Sequence, residues 1–215
     1  PDEHPTEENA LWSSRLDYNV NLIIGDPGMG KTELVKSLKN KCSREYWTVI
    51  ISAKDVNLFF RNHNFSKAEN CSDLFAKFIT NEKYGSLEKL DRNFYEMCVK
   101  KNNVIYVWDA LDEILNDNLD AALNIILDLS IKGFLQWVTS RRHLKTTLEK
   151  KFNLLSLGIN QFNEREQEKY IRKRLKSFNS ETSIDVTLEK IKSSFAIIEH
   201  IDILGIPLQI FMLTE

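Results

Sequence analysis

The sequence has 215 residues, which is enough for one globular domain and part of a second. Hydrophobic residues make up 42% of the chain and charged residues 28%, so it is too apolar for a mainly disordered protein. Lysine and arginine number 29 against 31 aspartates and glutamates, for a formal net charge of -2. This balance does not favour binding to nucleic acid or to an anionic membrane.

Two further features bear on the cellular compartment. The apolar runs, such as Val104–Trp108, are far shorter than the 18 or so residues that a membrane-spanning helix needs, and no secretory signal pattern opens the chain. The cysteines Cys42, Cys71 and Cys98 are widely spaced and form no CxxC pair, so neither a disulfide framework nor a zinc site is indicated. We therefore expect a cytoplasmic protein without a membrane span.

Short apolar runs alternate with longer segments of helical period, which is typical of a parallel sheet with helices on both faces. In chain order, the pattern predicts strand Val20–Ile24, helix Lys31–Asn40, strand Trp47–Ile51, helices Ser72–Thr80 and Ser86–Lys100, strand Val104–Trp108, helix Leu119–Leu129, strand Phe134–Val138, helix Arg142–Lys150 and strand Leu154–Leu157. The expected fold is α/β, a three-layer sandwich around a five-stranded, mostly parallel sheet.

The remainder of the chain has helical pattern only. Asn163 and Glu166 have the spacing of a capping box, and apolar residues recur at helical spacing from Tyr170 to Phe178. Because the chain starts at Pro1 and ends inside an apolar run, we interpret it as a piece of a longer protein. The expected organisation is an N-terminal extension over residues 1–18, an α/β domain over 19–160 and the start of a small helical subdomain over 161–215.

Glycine is scarce, with 7 in the chain, yet Gly25, Gly28 and Gly30 fall within six positions. The segment Gly25–Thr32 matches G-x-x-x-x-G-K-[ST] directly after a predicted strand and before a predicted helix. Glycines let successive amides point inward, and the helix start adds unpaired amides and a positive dipole end. The motif predicts a phosphate cradle. The residues expected to bind the nucleotide are Gly25, Asp26, Pro27, Gly28, Met29, Gly30, Lys31, Thr32 and Glu33.

The chemistry expected at this cradle is that of a P-loop nucleotide site. Lys31 would bind the β- and γ-phosphates, and the hydroxyl of Thr32 would be a ligand of Mg²⁺. A phosphate cradle needs a second metal-holding group, usually an acidic residue that follows a neighbouring buried strand, and Asp109 fits this position. The Asn-Lys-x-Asp signature of guanine binding is missing. The sequence therefore predicts ATP or ADP, with Thr32 and Asp109 holding Mg²⁺.

Three further residues are candidates for catalysis. Asp112 and Glu113 follow Asp109 by three and four positions, and either could orient a water against the γ-phosphate. Arg141 follows the predicted fourth strand, and its guanidinium can donate two hydrogen bonds to a third phosphate. The plainer alternatives are acidic residues in the first turn of a helix and a solvated arginine.

Four segments together resemble the NACHT branch of the STAND class of P-loop ATPases, over about residues 19–213. They are Gly25–Thr32, Val104–Glu113, Thr139–Arg141 and Gly205–Pro207. Members of this NLR-like group act as nucleotide-controlled switches in innate-immune and cell-death signalling. The resemblance implies that Pro207 packs on the adenine, that the strand ending near Arg141 lies between the other two functional strands, and that the full-length protein oligomerises.

The resemblance implies a Mg²⁺-dependent, slow ATPase that switches between ADP and ATP states. Two other functions remain open from the sequence. One is a motor ATPase of the AAA+ or helicase kind, although the residue after Asp109 is Ala110 and not the catalytic Glu of that group. The other is a scaffold that binds nucleotide without hydrolysing it.

Overall fold

Strands and helices alternate along the chain in a computed structural model that describes residues 19–62, 71–84, 89–175, 186, 189–190, 193 and 205–213. The strands are β1 Val20–Ile24, β2 Trp47–Ser52, β3 Val104–Asp109, β4 Leu135–Ser140 and β5 Leu157–Gly158. The helices are α1 Lys31–Lys41, α2 Ala53–Asn62, α3 Cys71–Tyr84, α4 Lys89–Lys100, α5 Asn116–Ile131, α6 Lys145–Phe152, α7 Glu164–Leu175 and α8 Pro207–Leu213, with 3₁₀ turns at Leu111–Glu113 and Arg142–Leu144. The predicted extension over residues 1–18, Ser86 and Phe178 lie outside the described residues.

The five strands form one parallel sheet in the order β2-β3-β4-β1-β5. The α/β fold predicted from the sequence is confirmed, and β4 lies between β1 and β3, as the family resemblance implied. The register pairs Ile24 with Ser140 and Ser52 with Asp109. Since the carboxyl ends of parallel strands meet at one edge of a sheet, the last residues of β1, β3 and β4 lie along the same edge.

The burial of the strands explains their near-continuous apolar sequences. All of β1 is buried, as are Val104–Trp108 of β3 and residues 136–140 of β4, because both faces of the sheet centre are covered. In β2, at the sheet edge, buried and half-buried residues are mixed. The core beside β3 stacks the rings of Trp108 and Phe75, with centroids 5.2 Å apart.

Helix α2 is not among the elements predicted from the sequence. It follows β2 without an intervening glycine or proline, so no breaker marks the change of period. Its first turn is capped reciprocally: the Ser52 N–H donates to Asp55 Oδ2 at 2.7 Å, and the Asp55 N–H donates to Ser52 Oγ at 3.3 Å. The buried face of α2 includes Val56 and Phe59, and the Phe59 ring meets Phe75 edge to face.

The bounds of later elements also differ from the prediction. The predicted strands Phe134–Val138 and Leu154–Leu157 are Leu135–Ser140 and Leu157–Gly158 in the structure. The predicted helix Arg142–Lys150 is a 3₁₀ turn followed by α6. Apolar periodicity ends at Val138, but Thr139 and Ser140 continue β4 as fully buried polar residues.

The chain divides into two compact units. The first comprises Pro1–Ile24, of which residues 19–24 are described, and Lys31–Gly158, and it holds the sheet.

Within the described residues, no helix combines the length and apolar composition needed to cross a bilayer.

The second unit comprises Gly25–Gly30 and Ile159–Glu215. In it, α7 begins with the predicted capping box, because the Asn163 N–H donates to Glu166 Oε2 at 2.9 Å and the Glu166 N–H donates to Asn163 Oδ1 at 3.0 Å. Helices α7 and α8 pack together, with the Arg174 guanidinium 4.1 Å from the ring centroid of Phe211.

Candidate functional site

The loop that joins β1 to α1 has the backbone that its glycines permit. Gly28 and Gly30 have φ of 79° and 83°, in the left-handed region that favours glycine. The Met29 N–H lies 3.3 Å from the Asp26 carbonyl oxygen, which closes a tight turn with Pro27 and Gly28 at its centre.

The turn Gly205–Pro207 and the residue after it contact this loop inside the second unit. The Leu208 N–H donates to the Gly28 carbonyl oxygen at 3.3 Å. A Cβ built on Gly28 would lie 3.1 Å from Ile206 Cγ2 and 3.2 Å from Leu208 Cβ, so there is little room for a side chain there. Pro207, predicted to pack on the adenine, is the first residue of α8 and lies between these two contact residues. The turn itself is anchored by the Phe162 N–H, which donates to the Gly205 carbonyl at 2.8 Å.

The two predicted metal ligands are direct neighbours in the first unit. Thr32 Oγ1, in the first turn of α1, donates to Asp109 Oδ2 at 2.9 Å across 77 residues of sequence. Magnesium prefers hard oxygen ligands at about 2.0–2.1 Å in an octahedron, which places adjacent ligand oxygens about 3 Å apart. The hydroxyl and the carboxylate therefore fit Mg²⁺ in both chemistry and spacing.

The other oxygen of Asp109 is held by Thr139, which belongs to the motif Thr139–Arg141 but is not among the predicted site residues. Thr139 Oγ1 donates to Asp109 Oδ1 at 2.9 Å and accepts from the Ala110 N–H at 2.9 Å. Ala110 has φ 58° and ψ 54°, a left-handed conformation that is uncommon for alanine. The only sequence signal for this arrangement was a threonine that directly follows an apolar run.

The three candidate catalytic residues form one cluster at the ends of β3 and β4. The Asp112 side chain is 3% exposed, and its Oδ2 lies 2.9 Å from Arg141 Nε. Its Oδ1 accepts from the Arg141 backbone N–H at 3.0 Å. Glu113 differs, because its side chain is 58% exposed and its Oε1 is 3.4 Å from Arg141 Nη2. Both Asp112 oxygens are thus engaged, whereas Glu113 is open to solvent.

The remaining predicted nucleotide-binding residues have other surroundings. Lys31 is the first residue of α1 and is half-buried, and Pro27 is exposed. Glu33 pairs with Lys36 on the surface of α1, with its Oε1 2.6 Å from Lys36 Nζ. That pair is mostly exposed and joins neighbouring positions of one helix, so the structure gives Glu33 no contact that points to a nucleotide.

Comparison with solved structures identifies similar folds at low sequence identity. The Walker-type ATPase PABY2304 of Pyrococcus abyssi has a TM-score of 0.59 and 11% identity, covering 98% of this chain and 66% of that one. Domain III of the replication initiation protein DnaA from Thermotoga maritima has a TM-score of 0.52 and 18% identity, covering 84% of this chain and 72% of that one. AMPPCP-bound DnaA from Aquifex aeolicus has a TM-score of 0.50 and 17% identity, covering 90% of this chain and 59% of that one.

At these identities the similarities show the fold alone, which is that of the P-loop ATPases. The chain spans less than two thirds of the length of PABY2304 and of the Aquifex DnaA. No curated protein sequence matches it. Among protein families, the NACHT domain matches residues 19–177, which is most of the chain and includes Asp109, Arg141 and the segment Gly25–Thr32, hereafter the phosphate loop. The chain therefore belongs to the NACHT domain family of P-loop NTPases.

Proposed function

We propose that this protein binds ATP and ADP with Mg²⁺ and acts as a slow ATPase and nucleotide-controlled switch in cytoplasmic innate-immune or cell-death signalling. The observation that carries the proposal is the 2.9 Å contact between Thr32 Oγ1 and Asp109 Oδ2. It brings together the hydroxyl and the carboxylate that the sequence motifs assign to the metal. Membership of the NACHT family supports nucleotide binding. The three free thiols, Cys42, Cys71 and Cys98, agree with a reducing compartment.

Each part of the triphosphate would have its own partner. The amides of the phosphate loop and the ammonium group of Lys31 would bind the phosphate oxygens. Thr32 and Asp109 would hold Mg²⁺, which offsets phosphate charge when bound. Arg141 would donate to the γ-phosphate, and only ATP provides that group. This contact would make the two nucleotides distinguishable.

The contacts around Arg141 support different roles for Asp112 and Glu113. Asp112 is buried, and both of its carboxylate oxygens accept hydrogen bonds from Arg141. We propose that Asp112 holds the arginine in place and does not orient water. Glu113 is 58% exposed and touches Arg141 only at 3.4 Å. Its carboxylate can accept a hydrogen bond from a water molecule that attacks the γ-phosphate. Glu113 is therefore the proposed catalytic residue of the pair.

A switch requires contacts that differ between the two nucleotide states. Within the second unit, α8 touches the phosphate loop through Leu208 and Gly28. A nucleotide that rearranges the loop would change this contact directly. We propose that α8 and the Pro207 turn transmit the nucleotide state to the rest of the full-length protein, where it would control oligomerisation.

Titration calorimetry with ATP and ADP tests the binding site. Lys31→Ala should lower affinity for both nucleotides at least about tenfold, since a charge-assisted contact is lost. Lys36→Ala is the matched control, because Lys36 lies on the same helix with a side chain 58% exposed. Unchanged ATP affinity in the Lys31 variant would overturn the site assignment.

Single-turnover hydrolysis tests the switch against the other two functions. Glu113→Gln should slow ADP formation and leave ATP affinity intact. No ADP product from the wild type over hours would favour a non-hydrolysing scaffold. Stimulation of the steady-state rate by single-stranded DNA or unfolded polypeptide would favour a motor ATPase.

A further inference from the structure

The carboxylate of Asp109 has a different partner on each oxygen. Oδ2 faces Thr32 Oγ1, and Oδ1 faces Thr139 Oγ1, each at 2.9 Å. We infer that Thr139 is a positioning residue for the Mg²⁺ site, whose hydroxyl holds Asp109 so that Oδ2 faces the metal. This inference rests on the proposed function, since it concerns the same site.

The direction of each hydrogen bond follows from counting donors. A threonine hydroxyl has one hydrogen to donate and two lone pairs, whereas a backbone N–H can only donate. The Ala110 N–H lies 2.9 Å from Thr139 Oγ1, so the hydroxyl accepts there. Its single hydrogen is then available for Asp109 Oδ1, and an ionised carboxylate can only accept. The Ala110 N–H therefore donates to Thr139, and the Thr139 hydroxyl donates to Asp109; neither hydrogen bond can run in the opposite direction.

The surroundings of Thr139 leave little scope for water to replace its hydroxyl. Thr139 is 0% exposed, and its backbone lies in β4, in register with Ile23 of β1. The pairing with β1 continues to Ser140, and the pairing with β3 reaches the preceding residue, Val138. The hydroxyl therefore comes from a rigid element, which is what precise positioning of a metal ligand requires.

Both hydrogen bonds of Asp109 are compatible with a metal held beside Oδ2. A hydroxyl has one hydrogen and two lone pairs, so Thr32 Oγ1 could offer a lone pair to Mg²⁺ while its hydrogen stays on Oδ2. The bond from Thr139 would meanwhile keep the other oxygen, Oδ1, in place. Groups that orient metal ligands in this way typically contribute about 10–100-fold to metal affinity. Thr139 therefore increases the affinity of the Asp109 carboxylate for Mg²⁺.

The experiment measures how much Mg²⁺ strengthens ADP binding. ADP is titrated into the protein calorimetrically in excess Mg²⁺ and in excess EDTA, and the ratio of the two dissociation constants is compared between variants. Thr139→Val keeps the shape but removes both hydrogen bonds, and it should reduce this ratio about tenfold or more while affinity in EDTA stays near that of the wild type. Thr139→Ser restores the hydroxyl and should recover most of the ratio. Thr146→Val, on the exposed surface of α6, is the matched control.

Each outcome bears on the inference. A wild-type ratio in folded Thr139→Val, or equal losses in the Val and Ser variants, would overturn the role of the hydroxyl and leave the nucleotide site standing. If the Val variant does not fold, Thr139→Ala is measured in the same way, with the same loss expected. Wild-type protein that binds ADP in neither buffer would overturn the proposed function, and this inference with it.

Discussion

Arg141 holds the buried carboxylate of Asp112 with two donors, its backbone N–H 3.0 Å from Oδ1 and its Nε 2.9 Å from Oδ2. A carboxylate that is 3% exposed must be compensated by such contacts, because an uncompensated charge in that position would be costly. The Arg141 side chain is 43% exposed, so part of it remains open to solvent. The pair therefore holds the residue that follows β4 without burying the arginine.

Asp112→Asn is expected to affect both stability and nucleotide discrimination. The substitution removes the charge that Arg141 compensates and weakens two hydrogen bonds, which should cost about 1–3 kcal/mol in the free energy of unfolding. Arg141 would also lose its fixed orientation, so the preference for ATP over ADP should fall. Urea denaturation and calorimetric titration measure the two effects.

Glu113→Gln is the control for this prediction, because it changes the exposed member of the pair. Exposed ion pairs contribute at most about 1 kcal/mol, so its unfolding free energy should stay close to that of the wild type. Equal destabilisation by the two substitutions would contradict the separate roles of Asp112 and Glu113.

Gly28→Ala tests the geometry of the phosphate loop. The φ of 79° is strained for any residue with a Cβ, and the new methyl group would meet Ile206 and Leu208 at 3.1 and 3.2 Å. We expect a loss of about 1–2 kcal/mol in unfolding free energy from the backbone conformation alone, and a large loss of ADP affinity because the loop cannot keep its shape. Thermal unfolding with and without ADP measures both.

Gly158→Ala is the matched control for the loop variant. Gly158 has no positive φ, and a Cβ there would meet no atom within 4 Å. Its melting temperature and its shift with ADP should therefore resemble those of the wild type. If Gly28→Ala binds ADP as tightly as Gly158→Ala does, the loop does not require the observed backbone.

The features that the sequence predicted are those that local chemistry determines. The phosphate loop was predictable because Gly28 and Gly30 are needed for backbone conformations that other residues rarely adopt. The capping box of Asn163 and Glu166 was predictable from the spacing of two residues on one helical turn. In both cases the interacting groups are close in sequence.

The features that it missed depend on pairing between distant strands. Thr139 follows an apolar run as a polar residue, and only the parallel alignment of β3 and β4 brings its hydroxyl to Asp109. Arg141 contacts Asp112 across 29 residues of sequence, and the left-handed turn at Ala110, between Asp109 and Asp112, has no signal in the sequence. The sequence could therefore name both members of the acidic pair but could not assign them different roles.

Substitutions at Ala110 test whether that left-handed turn is strained. Ala110→Gly removes a left-handed penalty of about 1–2 kcal/mol but gives the unfolded chain more freedom, a cost of about 0.5–1 kcal/mol. The net expectation is a protein as stable as the wild type or more stable by up to about 1 kcal/mol. Ala110→Val should be destabilised by more than about 1 kcal/mol, because a β-branched residue fits this conformation poorly. Chemical denaturation ranks the three proteins, and a Val variant as stable as the Gly variant would show that the turn is not left-handed.

The pH dependence of stability should reflect a charged cluster that joins α3 to α5. The buried Ser72 hydroxyl donates to Asp128 Oδ2, and this bond, with help from Lys132, holds the pKa of Asp128 below its ordinary value even though partial burial acts in the opposite direction. Lys132 Nζ also contacts Asp73 Oδ1 at 2.7 Å; although desolvation lowers the pKa of Lys132, its carboxylate partners raise it overall, so it stays protonated at acidic and neutral pH.

Because the folded pKa of Asp128 is depressed, its contribution to stability is fully present above the unfolded pKa of about 4 and is lost as pH falls through the folded value. Ser72→Ala removes the largest cause of the depression, so it should destabilise the protein more at pH 7 than at about pH 3. Urea midpoints of the wild type and the variant at the two pH values give this comparison. The same difference between the two proteins at both pH values would mean that Ser72 contributes packing and not a hydrogen bond to a charged Asp128.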